Sequence, residues 1–240
     1  MSGVAAENTV RVPVNAQRWS AISFLHWPVD PEVVQSLLPS GLHVQTHSGS
    51  AWIGLTPFLM RDVRVPPFPP LPGWSTFPEV NLRTYVRHDD GTDGLWFLML
   101  WSTRRAVNVA MRVVGLPYQR MRARVLPGEP GTLAYEARPA PQAVPLRLSA
   151  TVRAGDRIAA PSDLEVWLTG RWNAYVERAG RVWRVPVTHE PWPLRRASVT
   201  SLDTDVFAVM GLPVPAVEPL VHVSPGVSTR IGIPRPAPRR

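Results

Sequence analysis

Proline is the residue that most restricts what this chain can fold into, because 28 of its 240 residues are prolines. A proline lacks the backbone N–H and interrupts both helix interiors and the centres of sheets. Here the prolines are spread between short segments that are apolar or alternate in polarity, which is typical of strands joined by turns. The sequence therefore predicts a β-rich fold with a few short helices.

The strand predictions come from segments that alternate in polarity or are apolar throughout. Segment 95–101 is apolar at every position, so we expect a central strand covered on both faces. The expected architecture is a barrel or curved sheet with helices packed on it. The five clearest predicted strands are 51–60, 80–86, 95–101, 120–125 and 182–185.

Three peripheral helices have recognisable start signals. Asp30 can cap a helix over 32–38, and the spacing of Ser162 and Glu165 is that of a capping box at the start of another. A third helix is expected over 105–114. Its apolar stripe consists of Ala106, Val109, Ala110 and Val113.

The length is compatible with one β-rich domain. We expect a flexible leader over 1–17, one domain over 18–233 and a basic, proline-rich tail over 234–240. The first 18 residues contain no uninterrupted apolar run, and no later stretch is long enough to cross a membrane. The expected location is the cytoplasm, without membrane contact. A homo-oligomer is compatible with the sequence.

The basic residues limit the chemistry. All 26 are arginines, since the chain contains no lysine, and it also contains no cysteine. Side-chain Schiff bases, thiolate nucleophiles, disulfides and cysteine-type zinc sites are therefore excluded. Arginine prefers planar anions such as carboxylate or phosphate, which favours an anionic ligand. Genomic base composition is an alternative explanation for the missing lysines.

The most informative predicted strand carries a polar face. With a period of two, Glu79, Asn81, Arg83 and Tyr85 share one face, whereas the residues between them are mostly apolar. This face either lies in water or lines a cavity. In a cavity, Glu79 could exchange protons, Asn81 orient a carbonyl and Arg83 bind a carboxylate. An internal ion pair between Glu79 and Arg83 is the competing interpretation.

Four further residues are candidates for ligand contact. Tyr118 could donate a hydrogen bond, or act as a general acid if its pKa were lowered, or be purely structural. His189 and Trp192 lie in an irregular, proline-rich segment of the kind that often carries binding residues. A histidine packed in a stiff loop is the alternative there. His222, which precedes the Val-Ser-Pro-Gly segment 223–226, has the same two interpretations.

Metal and nucleic-acid functions have weaker support. His43 and His47 are four residues apart, but outside a helix this spacing does not create a metal pair, so we expect neither a metal nor a cofactor. Arg120, Arg122 and Arg124 alternate and could bind phosphates. Because no aromatic residues are interleaved with them, a solvated sheet face is the preferred interpretation, and nucleic-acid binding is a remote alternative.

Several motifs together resemble the uncharacterised DUF2071 family, also called YqjF-like, over residues 19–230. That family is similar to the acetoacetate decarboxylase fold, a cone-shaped antiparallel β-barrel with an internal pocket and a few peripheral helices. The resemblance therefore implies that the polar face of Glu79 points into a pocket. The motifs are FLHWPV (24–29), LLPSGL (37–42), AWIGLTPF (51–58), EVNLRTYV (79–86), GLPY (115–118) and HEPWPL (189–194).

The resemblance does not extend to the decarboxylase reaction. In acetoacetate decarboxylase a Gly-Phe-Pro-Lys-Lys segment supplies the Schiff-base lysine, assisted by a glutamate on an earlier strand. Here Tyr118 and Gln119 occupy the positions of the two lysines, so the amine that forms the ketimine is missing.

Together these observations predict a small-molecule pocket protein whose ligand is an apolar organic acid or ketone. Glu79 and Tyr118 are the candidate catalytic residues, in lysine-free acid/base chemistry. A non-catalytic binding or regulatory module is the alternative. The expected ligand-binding residues are Asn81, Arg83, Tyr85, His189 and Trp192.

Overall fold

The computed structural model describes residues 9–238, which form thirteen β-strands and four short α-helices. The helices are α1 (Pro31–Gln35), α2 (Arg105–Val113), α3 (Asp163–Thr169) and α4 (Val206–Val209). The strands are β1 (Asn15–Val29), β2 (Leu42–Val44), β3 (Ala51–Arg64), β4 (Phe77–His88), β5 (Asp93–Ser102), β6 (Tyr118–Pro127), β7 (Thr132–Pro139), β8 (Leu148–Arg157), β9 (Asn173–Arg178), β10 (Arg181–His189), β11 (Arg195–Thr204), β12 (Leu220–Ile231) and β13 (Arg235–Pro236). The β-rich fold predicted from the proline pattern is confirmed.

The strands belong to one sheet whose hydrogen-bonded order closes into two rings. The first ring runs β5-β6-β7-β8-β11-β12-β1-β3-β4 and returns to β5. The second ring runs β10-β9-β5-β4-β3-β1-β12 and returns to β10. Strands β12, β1, β3, β4 and β5 belong to both rings, so their two faces look into two different interiors.

Alternation along the shared strands divides their side chains between these interiors. Leu25, Leu55 and Leu82 are register neighbours on β1, β3 and β4. They pack with residues of β7 and β8, such as Tyr135 and Val152, in the largest apolar cluster. The main core therefore fills the first ring, and the residues next to these leucines face the second ring.

Strand β5 is the point where the two rings separate. It pairs with β4 along one edge and with both β9 and β6 along the other. All ten of its residues are buried or half-buried. The prediction of a central strand covered on both faces is confirmed.

The predicted helices form with two differences. Helix α1 ends at Gln35 rather than at 38, and the apolar stripe of α2 faces solvent, with Val109 55% and Val113 66% exposed. Helix α2 instead buries Asn108, whose amide donates to the carbonyl oxygens of Ser102 and Gln119. These hydrogen bonds hold α2 in an orientation in which Asn108 is buried and the apolar stripe faces solvent. At α3, both hydrogen bonds of the predicted capping box are present.

The described parts of the two terminal segments contact the sheet. The backbone N–H of Val10 donates to Thr188 Oγ1, and that of Val14 to the carbonyl oxygen of Ile231. Near the other end, the N–H of Ala237 donates to the carbonyl oxygen of Val182. Residues 1–8 of the predicted leader and 239–240 of the predicted tail lie outside the described residues. The domain boundaries stay predictions.

Candidate functional site

The shared strands carry a cluster of buried polar side chains on the face that looks into the second ring. Such groups are expensive to bury unless they find hydrogen-bond partners. They come from β1, β3, β4 and β12, which are neighbours in the sheet. We call this cluster the Arg83 site. Its members are His26, Thr56, Asn81, Arg83, Tyr85 and His222.

The register of the strands explains how these residues meet. His26 on β1 lies opposite Gly54 on β3, and Gly54 lies opposite Arg83 on β4. A Cβ atom at Gly54 would lie 2.9 Å from His26 Cδ2 and 3.5 Å from Arg83 Cγ. Glycine at this position therefore lets the side chains of His26 and Arg83 approach each other across β3.

Arg83 is the most unusual member, since its side chain is a cation in an interior position and only 7% of the residue is exposed. No carboxylate of residues 9–238 forms an ion pair with it, and its Nε has no hydrogen-bond partner there. Its Cζ lies 5.3 Å from the centre of the Phe24 ring. Its side chain hydrogen-bonds the neutral Tyr85 hydroxyl, so among residues 9–238 no acidic side chain compensates the charge. An anion would be a suitable partner for such a guanidinium.

Other buried polar atoms around Arg83 also lack partners among the described residues. Most buried polar atoms in native proteins are hydrogen-bonded, so a group of exceptions on one face indicates a place for a ligand or ordered water. Thr56 and Asn81 face each other in the β3–β4 register. The atoms concerned are His26 Nδ1, Thr56 Oγ1, Asn81 Oδ1 and His222 Nδ1.

Tyr85 connects the Arg83 site to α3. Its hydroxyl oxygen lies 2.8 Å from His26 Nε2 and donates to the carbonyl oxygen of Leu168 at 2.9 Å. Burial raises the pKa of Tyr85, and neighbouring Arg83 and Arg171 only partly oppose this effect. Tyr85 therefore stays protonated and holds the His26 ring in place.

Glu79 and Tyr118 lie together at another position on the same face. The Tyr118 hydroxyl donates to Glu79 Oε2 at 2.8 Å, and Glu79 is 3% exposed. Burial raises the pKa of Glu79 to about 8, although the hydrogen bond from Tyr118 lowers it. Glu79 is therefore mostly protonated at neutral pH. Within residues 9–238 its partner is Tyr118, and no ion pair to Arg83 forms.

The environment of Tyr118 raises its pKa rather than lowering it. Burial is the main cause, and the neighbouring Glu79 adds to it. This position suits Tyr118 for hydrogen-bond donation and not for proton transfer at neutral pH. Gly115 precedes Tyr118 by three residues and has a φ of +92°, which favours glycine. A Cβ there would lie 2.3 Å from the Glu177 carbonyl oxygen, so glycine lets the chain pass close to β9 before β6 begins.

His189 and Trp192 meet in an aromatic cage beside the Arg83 site. The His189 ring lies 4.6 Å from Trp172, 4.8 Å from Trp192 and 5.9 Å from Trp19, measured between ring centres. Trp192 also packs edge-on against Phe24 at 5.0 Å. Burial lowers the pKa of His189, and Arg83 contributes in the same direction. The cage therefore provides an apolar wall next to a buried cation.

Three residues near this site were not predicted to belong to it: His26, Glu165 and Arg171. His26 and His222 are fully buried, and Glu165, predicted only as part of a capping box, bonds His222. The Arg171 guanidinium lies over the rings of Tyr85 and Trp167 at 5.0 and 4.5 Å, and burial lowers its pKa to about 10. Alternation within 24–29 could have placed His26 on the face opposite to Leu25, but no local signal connects Glu165 or Arg171 with this site.

Other polar features lie outside this site. An open cleft of about 820 Å³ borders Trp172. Both of its carboxylates are paired: Asp90 with Arg184 at 3.5 Å, and Asp93 with Arg87 outside the cleft at 2.6 Å. Its other two cations, Arg11 and Arg235, are exposed to solvent, so the cleft gives a weaker reason for a charged ligand than the buried Arg83 does.

The exposed side chains of β6 include Arg120, Arg122 and Arg124. Arg124 pairs with Glu136 at 2.6 Å on the neighbouring strand. Over residues 9–238, no three His, Asp or Glu side chains group so that they could hold a metal ion. His43 instead lies 2.7 Å from Asp89. No helix in the described range is long and apolar enough to cross a membrane.

The fold and the site define a β-rich protein with an acetoacetate decarboxylase-like fold and a buried, arginine-containing polar interior. The chain belongs to the DUF2071 family, described as an uncharacterized conserved protein, whose model matches residues 16–228. It is 30% identical over 207 residues to the uncharacterized protein YqjF of Bacillus subtilis, covering 86% of this chain and 85% of that one. The predicted family membership is confirmed.

Solved structures with the same fold are enzymes. The enduracididine biosynthesis enzyme MppR, complexed with pyruvate, matches with a TM-score of 0.65 and 15% identity over 96% of this chain and 93% of that one. An acetoacetate decarboxylase-like enzyme from Sphingomonas wittichii RW1 matches at 0.63 and 16%, over 97% and 96%. Acetoacetate decarboxylase from Legionella pneumophila matches at 0.64 and 13%, over 97% and 92%. At these identities the likeness defines the fold.

Proposed function

We propose that this protein binds a small organic carboxylate, with Arg83 as the anchor of the carboxylate group. The supporting observation is the buried Arg83 guanidinium, which lacks an acidic partner among the described residues. An isolated buried charge is strongly unfavourable, and a ligand carboxylate would supply both the opposite charge and paired hydrogen bonds. The aromatic cage of His189 and Trp192 is suited to the apolar part of the ligand.

Acid/base catalysis on the bound ligand is a second candidate function, supported by Glu79. A carboxylic acid with a pKa of about 8 is protonated at neutral pH and can donate a proton to a developing oxyanion. Glu79 and Tyr118, which donates to it, are the proposed catalytic pair, and Asn81 would orient a ligand carbonyl. The chemistry has to proceed without a lysine Schiff base, since the chain contains no lysine. A purely binding role for the same site is the alternative.

The structural similarity to MppR also supports a small carboxylate as the ligand class. MppR has been solved in complex with pyruvate, a small keto acid. A small carboxylate is therefore a reasonable ligand class for the fold, and Arg83 is the residue of this chain that would select it. The cytoplasm is the expected location, which cell fractionation would test.

The test is ligand-induced thermal stabilisation. Phenylacetate, which joins an aromatic ring to a carboxylate, is titrated against wild type, Arg83→Met and the control Arg124→Met, whose arginine lies on the outer face of β6. At a concentration about 100 times Kd, we expect wild type and Arg124→Met to melt about 5–10 °C higher. Arg83→Met should show at most about half of this shift, because ligand stabilisation falls with the logarithm of the affinity. It should still fold, since methionine can pack in place of the arginine side chain.

Calorimetric titration then gives the affinities. Loss of the charge-assisted hydrogen bonds should weaken binding by about 10- to 100-fold in Arg83→Met. The proposal fails if no small carboxylate stabilises the wild type, or if Arg83→Met binds as tightly as the Arg124→Met control.

A further inference from the structure

Two histidines of the Arg83 site have ring protonation states that the surrounding hydrogen bonds define. The Tyr85 hydroxyl donates its single proton to the carbonyl oxygen of Leu168, so it must accept from His26 Nε2. Burial, together with nearby Arg83 and His222, holds the pKa of His26 well below its usual value. The neutral ring therefore carries its proton on Nε2 and a lone pair on Nδ1.

His222 reaches the same state through a different partner. Its Nε2 lies 3.0 Å from Glu165 Oε1, while Glu165 Oε2 accepts from the backbone N–H and hydroxyl of Ser162. Burial would raise the pKa of Glu165, but these hydrogen bonds lower it overall, so Glu165 is ionised and accepts. Burial lowers the pKa of His222 despite Glu165, which leaves a neutral ring with a lone pair on Nδ1.

Both lone pairs lie inside the Arg83 site. His26 is 0% and His222 is 1% exposed, and neither Nδ1 has a hydrogen-bond partner within residues 9–238. His222 lies opposite Phe24, two residues from His26 on the same face, and the Arg83 guanidinium lies over the Phe24 ring. Beside Arg83, the described residues therefore leave three hydrogen-bond acceptors without a donor: His26 Nδ1, His222 Nδ1 and Asn81 Oδ1.

We propose that the ligand is a hydroxycarboxylate, whose carboxylate binds Arg83 and whose hydroxyl donates its proton to Nδ1 of His222. This inference rests on the proposed function and deepens it. A keto acid offers only lone pairs to this nitrogen, so its carbonyl oxygen would face another acceptor. The hydroxyl of a hydroxy acid supplies the donor that His222 Nδ1 lacks among the described residues.

Three probe acids test this inference because they differ at one carbon: phenylacetate, mandelate with a hydroxyl, and phenylglyoxylate with a ketone. Calorimetry on the wild type should give a Kd for mandelate about 3- to 10-fold lower than for phenylacetate, which is the effect of one net hydrogen bond. Phenylglyoxylate should bind more weakly than mandelate by at least the same factor.

Glu165→Gln should reverse the preference between hydroxyl and ketone. The Ser162 backbone N–H requires an acceptor, so the Gln oxygen stays there and its amide NH₂ faces His222 Nε2. His222 Nε2 must then accept, which moves the ring proton to Nδ1 and turns that atom into a donor. We expect phenylglyoxylate to gain and mandelate to lose affinity. The matched control is Glu136→Gln, on the outer face beside Arg124, which should bind as wild type does.

His222→Phe provides a second variant, in which the Nδ1 acceptor is absent and the advantage of mandelate over phenylacetate should fall. Circular dichroism and thermal melting establish that each variant is folded. Equal Kd values for mandelate and phenylacetate in the wild type, or an unchanged preference in folded Glu165→Gln, would overturn the hydroxycarboxylate inference while leaving carboxylate binding intact. If none of the three acids binds, the proposed function itself fails.

Discussion

Consecutive residues of strand β4 lie on its two faces, and these faces have opposite chemical character. Leu82 is fully buried in the apolar cluster of the first ring, where leucines and valines from seven other strands and helices surround it. Its neighbours Asn81 and Arg83 are buried to almost the same extent but carry polar atoms without partners among the described residues. The same degree of burial therefore has opposite energetic consequences: one face stabilises the fold, and the other leaves buried polar atoms unpaired among the described residues.

The difference shows why burial alone does not identify a core. Apolar side chains gain free energy from leaving water, whereas an unpaired amide or guanidinium loses it. Burying such groups on neighbouring strands therefore lowers the free energy of unfolding of the chain. Measurements of unfolding free energy and of pKa distinguish the two faces of β4.

The largest expected difference is between the unfolding free energies of Leu82→Ala and Asn81→Ala. Leu82→Ala should lower the free energy of unfolding by about 2–5 kcal/mol, since it leaves a cavity in a packed core. Asn81→Ala should cost less than about 1 kcal/mol, because it removes an amide oxygen that has no partner there. Urea titrations of the two variants and the wild type measure both values. A loss at Asn81 as large as that at Leu82 would mean that both faces act as core.

A smaller effect concerns pH and Glu79. Its folded pKa, about 8, lies above the ordinary value of 4.5, so the native state holds this proton more tightly than the unfolded chain. The stability it contributes is fully present below pH 4.5 and is lost as pH rises to about 8. Above about pH 6.5, where the buried histidines are neutral in both states, the free energy of unfolding should fall with a slope that approaches about 1.4 kcal/mol per pH unit. Urea unfolding at a series of pH values measures it.

Glu79→Gln should flatten this slope, and Glu129→Gln, at an exposed position, should keep it. Identical slopes in wild type and Glu79→Gln would contradict a protonated Glu79. The measurement also tests the comparison, since a pH-dependent stability is expected from the polar face only.

The smallest effect concerns Tyr118. Its hydrogen bond stabilises the ionised form of Glu79, so Tyr118→Phe should raise the pKa of Glu79 further, by about one unit. The pH at which stability is lost should therefore move upward, which infrared spectroscopy of the carboxyl group can follow. An unchanged pKa would mean that the hydroxyl does not stabilise the ionised carboxylate, and a downward shift would contradict the hydrogen bond altogether.

Much of the fold was predictable because it depends on local patterns. Proline spacing and alternation gave the predicted strands and the capping box of Ser162, and the all-apolar segment 95–101 indicated the central strand. The apolar stripe of α2 predicted the wrong buried face. Hydrogen bonds from Asn108 to backbone carbonyls of Ser102 and Gln119 bury another side of the helix. The motif resemblance identified the family correctly.

The candidate site was predictable in part. The period of two along β4 placed Glu79, Asn81, Arg83 and Tyr85 on one face without saying what that face meets. The structure brings His189 and Trp192 to the same interior. The contact between His222 and Glu165 was not predicted, because the two residues are 57 positions apart and no local pattern connects them.

The sequence by itself determined the β-rich class, the absence of lysine and cysteine chemistry, and the neighbour relations along each strand, since these depend only on composition and backbone periodicity. Tertiary structure decided that the polar face of β4 is buried, that Glu79 bonds Tyr118 and not Arg83, and that both imidazoles present lone pairs. The physical reason is that desolvation and hydrogen-bond partners come from segments far away in the chain. Tyr85 and Leu168, for instance, are 83 residues apart.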